Sequence, residues 1–488
     1  MSKKIIYLLS LLMALSLVFA SCKKNDGITG GNIDGNPPDE GGDTSMTDPD
    51  TGLMTKWSDI PAEGYIKKTT IFKPTDKDFF RNPVVVVLGT KNSKVAVFTE
   101  KRYAANGGVN DVGITGELVV DIAWTLSGNS GNSFNYNGFV NPNNTSTTKV
   151  ADSHGAPVVF KVSHNQVVIV ASAGAGIGRV SKSYSERQAE MPSRIDYIVG
   201  TLDESNNTFS WSEWKTILKG TAETDDLGKK VASIKSGATK YFDQFATHTA
   251  KGYVEGNKLY VPVVMAYQGT SSDAYELMGV IMVTGTWNAS DVTAWTMGNN
   301  IAFDKADDKF SKYKESRVLG LSSSDVKYLV VPNPSKAGNI VAQGTIATSS
   351  QQPTPLSLAG SEGSPGYIDF GADKWYGTKE YTINNDGTFK QKTEAAIKNR
   401  GLYMHSTAQF KNVTLYLVDN SANLQQLSGS KSVLINAQGK SSSIDMLGDG
   451  TVVIAAEEGA KSGEKDFYVS FTRYGQGALA TMLGETGK

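Results

Sequence analysis

Residues 83–99 read PVVVVLGTKNSKVAVFT: an apolar run, a polar turn opening on Gly89, and a second apolar run. β-Branched residues on either side of a Gly/Asn/Ser turn are the composition of a β-hairpin. The same shape recurs five more times. Residues 157–162 turn through 163–165 into 167–172, and 250–254 turn through 255–257 into 258–266. Residues 318–321, 407–410 and 443–447 turn likewise into 327–332, 413–418 and 451–456. Most hairpins are followed by another strand-like run, at 117–125, 194–202, 277–284, 339–347 and 466–473, and few stretches carry a helical period. The class is therefore all-β. Three or four strands, repeated six times, predict a six-bladed β-propeller of four-stranded antiparallel blades. Insertions between blades explain the irregular spacing, since lengthening a surface loop costs little. Residues 65–72 are a candidate strand for closing the ring against the last blade. A pair of β-sandwiches is the competing architecture with as many short strands.

Composition narrows the chemistry. The chain has 488 residues, with 48 Lys+Arg against 49 Asp+Glu and a formal net charge of −1. No basic surplus exists to neutralise a phosphate backbone, so nucleic acid is not an expected partner. A single cysteine rules out an intrachain disulfide and a cysteine-based zinc site. The four histidines, His154, His164, His248 and His405, are too far apart for an HExxH-type site. No metal and no cofactor is implied.

The N-terminus reads as an address. Met1 to Lys4 carries two lysines, and residues 5–20 are mostly apolar, the pattern of a signal-peptide core shorter than a membrane span. It ends Phe19-Ala20-Ser21-Cys22, which resembles a bacterial lipobox with Cys22 as the lipidated residue. Residues 23–57 are rich in glycine and acidic side chains and are expected to form a disordered tether. The propeller is assigned to 58–488. Residues 1–22 are then a lipoprotein signal peptide, and the lipid anchor is the only expected membrane contact. The protein would sit on the cell envelope, at the outer membrane, surface or periplasmic face.

Phe80-Arg81-Asn82-Pro83 opens the first hairpin and Glu100-Lys101-Arg102-Tyr103 ends it. Asn110-Asp111-Val112-Gly113 follows in a Gly/Asn-rich loop, and Ser127-Gly128-Asn129-Ser130-Gly131-Asn132-Ser133-Phe134 comes after the next strand. In this order the segments resemble the sialidase (neuraminidase) family. Its first blade carries a Phe/Tyr-Arg-Ile-Pro motif, a second arginine, an aspartate and an Asp-box turn of the BNR repeat. Here Asn82 stands for the Ile, and Asn129, Ser133 and Phe134 for the Asp, Thr and Trp of the box. His154-Gly155-Ala156-Pro157-Val158 resembles the second-blade opening, and residues 252–262 the segment closing the third blade. Residues 314–319 resemble the strand bearing the family's glutamate, and 402–410 the late Tyr-Ser strand.

The resemblance implies a glycan substrate and a retaining glycosidase mechanism on a terminal sialic acid or related acidic sugar. Guanidinium groups hold the sugar carboxylate bidentately, a carboxylic acid protonates the leaving oxygen, and a tyrosine replaces the usual carboxylate nucleophile. Carried over by motif, Arg81 and Arg102 bind substrate, Asp111 is the general acid/base, and Glu315 is the base behind the nucleophile. The family's nucleophilic tyrosine position is His405. Tyr403, two residues earlier, faces the same side of a strand and is the candidate nucleophile, with His405 beside the substrate. Two arginines of the family's carboxylate triad have no counterpart. Arg317 and Arg400 are the nearest. The alternative function is therefore a catalytically inactive sialidase-like lipoprotein that binds glycan or protein.

Overall fold

The computed structural model describes residues 66–103, 119–177, 192–219, 244–267, 277–305, 316–320, 327–332, 338–344, 358–359, 363–370, 381–383, 389–391, 400–408, 411–419, 431–436, 441–459 and 467–484. Cys22, the tether, Asp111 and Glu315 lie outside the described residues.

The strands fall into small antiparallel sheets that follow one another along the chain. β1 (Ile66–Phe72) stands apart at first. β2 (Asp78–Leu88), β3 (Lys94–Tyr103), β4 (Val120–Ser127) and β5 (Tyr136–Phe139) form the first sheet in that order. The second sheet holds β6 (His154–Lys161), β7 (Gln166–Ala173), β8 (Arg194–Asp203), β9 (Thr208–Trp211) and β10 (Lys215–Lys219). β11 (Gln244–Ala246) begins the third. β12 (Ala250–Lys251) leaves it, and β13 (Tyr253–Glu255), β14 (Lys258–Tyr267), β15 (Leu277–Asn288) and β16 (Asp291–Lys305) complete it. β17 (Arg317–Gly320), β18 (Lys327–Pro332), β19 (Gly338–Gly344) and β20 (Leu358–Ala359) make a fourth.

The fifth runs from β21 (Gly363–Asp369), past a separate pair β22 (Tyr381–Ile383) and β23 (Phe389–Gln391), to β24 (Arg400–Ala408), β25 (Lys411–Asp419) and β26 (Ser432–Asn436). The last holds β27 (Ser442–Met446), β28 (Val452–Glu458) and β29 (Tyr468–Tyr474), and β1 returns to pair antiparallel with β29. A helix, α1 (Gln476–Met482), follows.

This is the arrangement of a β-propeller. Strands of neighbouring sheets touch in sequence, β14 with β17, β17 with β21, β21 with β27 and β27 with β2. The N-terminal β1 completes the C-terminal sheet, joining the two ends of the chain as the expected closing strand does. Six sheets of four or more strands are described, of which five count as blades, against the six blades that the hairpins predict. The sheets are unequal, and the thinnest, β17–β20, ends in a strand of two residues.

Burial explains the unbroken apolar runs. A strand whose two faces both meet neighbouring sheets cannot alternate apolar with polar residues. In β2, Val84, Val86 and Leu88 pack with Phe98, Trp124 and Ile169, between the first and second sheets. Val85 and Val87 point the other way and pack with Val453, Ala455 and Phe471 of the last sheet. Each such side chain contributes about 1.5–3 kcal/mol by leaving water. Phe134 follows the turn at 127–133 and meets Phe471 edge-on at 4.9 Å. Gly131, at φ +81°, lies so close that a Cβ would stand 2.3 Å from the Phe471 ring.

One hairpin departs from its expected pairing. Residues 253–255 pair with β14 as predicted, but Ala250 and Lys251 pair in parallel with Val158 and Val159 of β6. The short β12 thereby sits inside the second sheet's first strand and touches β2, β21 and β27 as well. It crosses the middle of the ring.

Candidate functional site

The inner strands of three sheets share a local device. β2 breaks register between Arg81 and Val84, β6 between Gly155 and Val158, and β21 between Gly363 and Gly366. Each break contains a proline, Pro83, Pro157 or Pro365, which has no N–H to give to a ladder. Asn82 and Ala156, immediately before two of these prolines, take φ +56° and +48°. A bulge bends its strand and re-aims the side chain beside it. In β2 that side chain is Arg81.

Arg81 is 3% exposed. Its Nε donates to Glu457 Oε1 at 2.7 Å and its Nη2 to Oε2 at 3.4 Å. Its guanidinium lies 4.7 Å over the ring of Phe467. Glu457, fully buried at the end of β28, also accepts from the backbone N–H of Asn82 at 2.7 Å and of Ser441 at 3.1 Å. Glu100, fully buried in β3, is a second hub. It accepts from Arg102 Nε at 2.8 Å, from Asn82 Nδ2 at 3.1 Å and from the Ala156 N–H at 2.6 Å. Arg102 Nη2 also donates to it. The two predicted arginines are thus joined through Asn82 and two carboxylates, and the hubs tie the first sheet to the second and the last.

Tyr403 and His405 lie on β24, the second strand of the fifth sheet. Their side chains share a face, with ring centroids 5.1 Å apart. Tyr403 is fully buried and His405 is 1% exposed. His405 stacks on Tyr416 at 5.1 Å, and neither ring nitrogen has a hydrogen-bond partner among the described residues. Burial alone pushes its pKa down to about 4. The imidazole is therefore neutral at pH 7.

A third polar cluster opens the second sheet. His154 Nε2 is 3.0 Å from Asp196 Oδ2, and its ring stacks on Trp214 at 3.7 Å. Arg194 and Thr216 also bond Asp196. Burial would raise the Asp196 carboxyl, but His154 and Arg194 outweigh it and hold the group below its ordinary value.

Arg317 begins β17, 3% exposed, and helps line a pocket near the axis. Arg400 begins β24. Sequence reasoning missed Glu457, the carboxylate that holds Arg81. The available signal was Glu457-Glu458 directly after an apolar strand: adjacent strand residues face opposite sides, so one must turn inward. Among the described residues no three His, Cys, Asp or Glu side chains converge as a metal site, and no helix is long and apolar enough to cross a membrane.

No protein-family model and no curated protein matches the chain. Solved structures do. The sialidase of Trypanosoma rangeli, in complex with the inhibitor DANA, superposes with a TM-score of 0.54 at 13% identity, covering 86% of this chain and 61% of that one. The Ruminococcus gnavus intramolecular trans-sialidase, in complex with oseltamivir carboxylate, gives 0.51 at 11%, covering 83% and 97%. The Hadza microbial sialidase Hz136 gives 0.50 at 13%, covering 81% and 65%. The chain has a sialidase-like propeller fold. It spans about three-fifths of the length of the Trypanosoma enzyme, and at such identities the likeness is one of fold.

Proposed function

We propose that the protein is a cell-envelope lipoprotein whose sialidase-like propeller binds acidic sugars of glycans without cleaving them. The observation that carries the reading is the burial of Tyr403, at 0% exposure beside an equally enclosed His405. A nucleophile must meet the anomeric carbon of a bound sugar. A buried phenol packed beside His405 and Tyr416 is a core side chain instead. Six blades, with β17–β20 as the fourth, a variant Asp-box turn at Asn129, and lipidation of Cys22 belong to the same proposal.

The hydrolase reading is favoured by a different observation. Arg81 is re-aimed by a bulge and held along one edge by two bonds to Glu457, the preorganisation that a carboxylate-binding arginine requires. In that reading Asp111 is the general acid/base and Glu315 activates Tyr403 as the nucleophile of a retaining exo-glycosidase.

A fluorogenic sialoside assay on the full-length protein, run beside calorimetric titration with a sialylated oligosaccharide, separates the two. The expected result is binding with no release of the fluorophore. Turnover of about 1 s⁻¹ or faster, within the usual enzymatic range, and abolished by Asp111→Asn, would establish the hydrolase instead.

A further inference from the structure

Lys161 is the last residue of β6 and follows Val159 by two positions, so it leaves the strand on the face that packs against the first sheet. Its Nζ donates to Oδ1 of Asn92 at 2.7 Å, across 69 positions of chain. Asn92 sits in the turn between β2 and β3 at φ +51°. Its N–H donates to the Gly89 carbonyl at 2.9 Å, and its own carbonyl accepts at 3.0 Å from the N–H of Gly448, in the turn after β27. The amide is thus held in place by its own backbone while the lysine reaches it from another sheet. Asp445 of β27 and Lys251 of β12, paired at 2.5 Å, act on Lys161 through their charges. Asp445 is fixed in turn by the Val87 N–H of β2 at 2.8 Å.

The surroundings favour the reactive form of the amine. Burial pushes Lys161 below its ordinary value, Asp445 pulls it back up, and Lys251 pushes it down again. A desolvated lysine is more often the free amine, the form that attacks a carbonyl carbon. Cγ of Asn92 lies one carbonyl bond beyond Oδ1, so Nζ is within about 4 Å of it. That approaches the separation of about 3–3.5 Å at which held groups react.

We propose that Lys161 and Asn92 become joined by an isopeptide bond that staples the second sheet to the first. The neutral Nζ attacks Cγ of Asn92 and the Nζ–Cγ bond forms. The proton that Nζ sheds passes by way of the Asp445 carboxylate to Nδ2. The Cγ–Nδ2 bond then breaks and ammonia leaves. One amide replaces another, so the step needs no oxidant, reductant or activated co-reactant. This modification is independent of what the propeller binds.

Full-length protein is denatured, digested with trypsin and read by mass spectrometry. An isopeptide bond blocks cleavage after Lys161 and ties residues 150–179 to residues 92–94. The linked species should be about 17 Da lighter than its two peptides together, the mass of the ammonia lost. Ordinary cleavage after Lys161, with residues 92–94 released at their sequence mass, overturns the proposal on the parent protein alone. In Lys161→Arg, which keeps a cation at the position but no amine, the linked species should be absent. Loss of ammonia at Asn92 that persists in that variant would be closure of Asn92 onto its own backbone, and overturns the proposal as well. Asp445→Asn, with folding checked by circular dichroism, should lower the linked fraction at least about tenfold. A fully linked Asp445→Asn protein would overturn the proton route through Asp445.

Discussion

The Arg81 cluster and the Tyr403–His405 pair are equally buried but differ in how their polar atoms are treated. Around Arg81, two glutamates collect backbone and side-chain donors from the first, second and last sheets. Around His405, rings pack on rings, and the imidazole nitrogens find no partner among the described residues. The first region keeps its charges at a desolvation cost and offsets that cost with charge-assisted bonds. The second has shed charge altogether. The first region holds a paired, enclosed cation and the second an enclosed aromatic pair.

The largest effect is expected at Glu457. Glu457→Gln removes the charge that balances Arg81 and leaves a buried guanidinium poorly paired, which should cost about 3–5 kcal/mol. Urea unfolding at neutral pH would measure it. The paired change Arg81→Met with Glu457→Leu should cost less than Glu457→Gln alone, because no buried charge is stranded. A double variant as unstable as the sum of two large losses would show that the cluster is not held together by charge.

His405 comes next, and its effect depends on pH. Its folded pKa is depressed to about 4 from an unfolded value near 6.5. The unfolded chain therefore binds the proton first. Stability is complete above pH 6.5, falls as pH drops toward 4, and is lowered by up to about 3 kcal/mol below that. His405→Phe should flatten the unfolding midpoint between pH 6.5 and 4. An unchanged slope in that variant would mean that the imidazole is solvated, and the contrast between the two regions would weaken.

A smaller effect is expected at Asn82. Its side chain bonds Glu100 at 3.1 Å and its backbone sits at φ +56°, a region that asparagine tolerates better than alanine. Asn82→Ala should cost about 1–2 kcal/mol by thermal unfolding, while Asn82→Gly recovers the backbone part of that loss.

Legibility in the sequence followed range. The hairpins are local: five of the six expected pairs appear among the described strands, with β24 beginning earlier, at Arg400, and the 250–254 hairpin appears only over 253–255. Phe80-Arg81-Asn82-Pro83 and His154-Gly155-Ala156-Pro157 could be singled out because proline marks the bulge within the motif itself. Glu457 could not be paired with Arg81, since 376 positions separate them and only ring closure brings them together. The path of β12 was hidden for another reason. Residues 250–254 read as one short strand of a hairpin, and two residues of parallel pairing to β6 leave no local signature. The aromatic pair was visible in type and register, but burial decides its role, and burial follows from sheets packed far away in sequence.

The smallest effect distinguishes the two regions most directly. Tyr403→Phe removes one oxygen from a fully buried ring and keeps its packing with His405 and Tyr416. Loss of a hydroxyl's hydrogen bond is worth about 0.5–1.5 kcal/mol, and the stacked rings are unaffected. The variant should fold, lose at most that much stability, and bind glycan as the parent does. Catalysis gives a different signature. A nucleophile contributes almost nothing to stability but most of the rate, so its removal would leave unfolding unchanged and lower turnover by about 10³-fold or more. Measuring stability and sialoside hydrolysis on the same two samples reads both quantities. A measurable parental rate that collapses in Tyr403→Phe would move Tyr403 from the core to the active site.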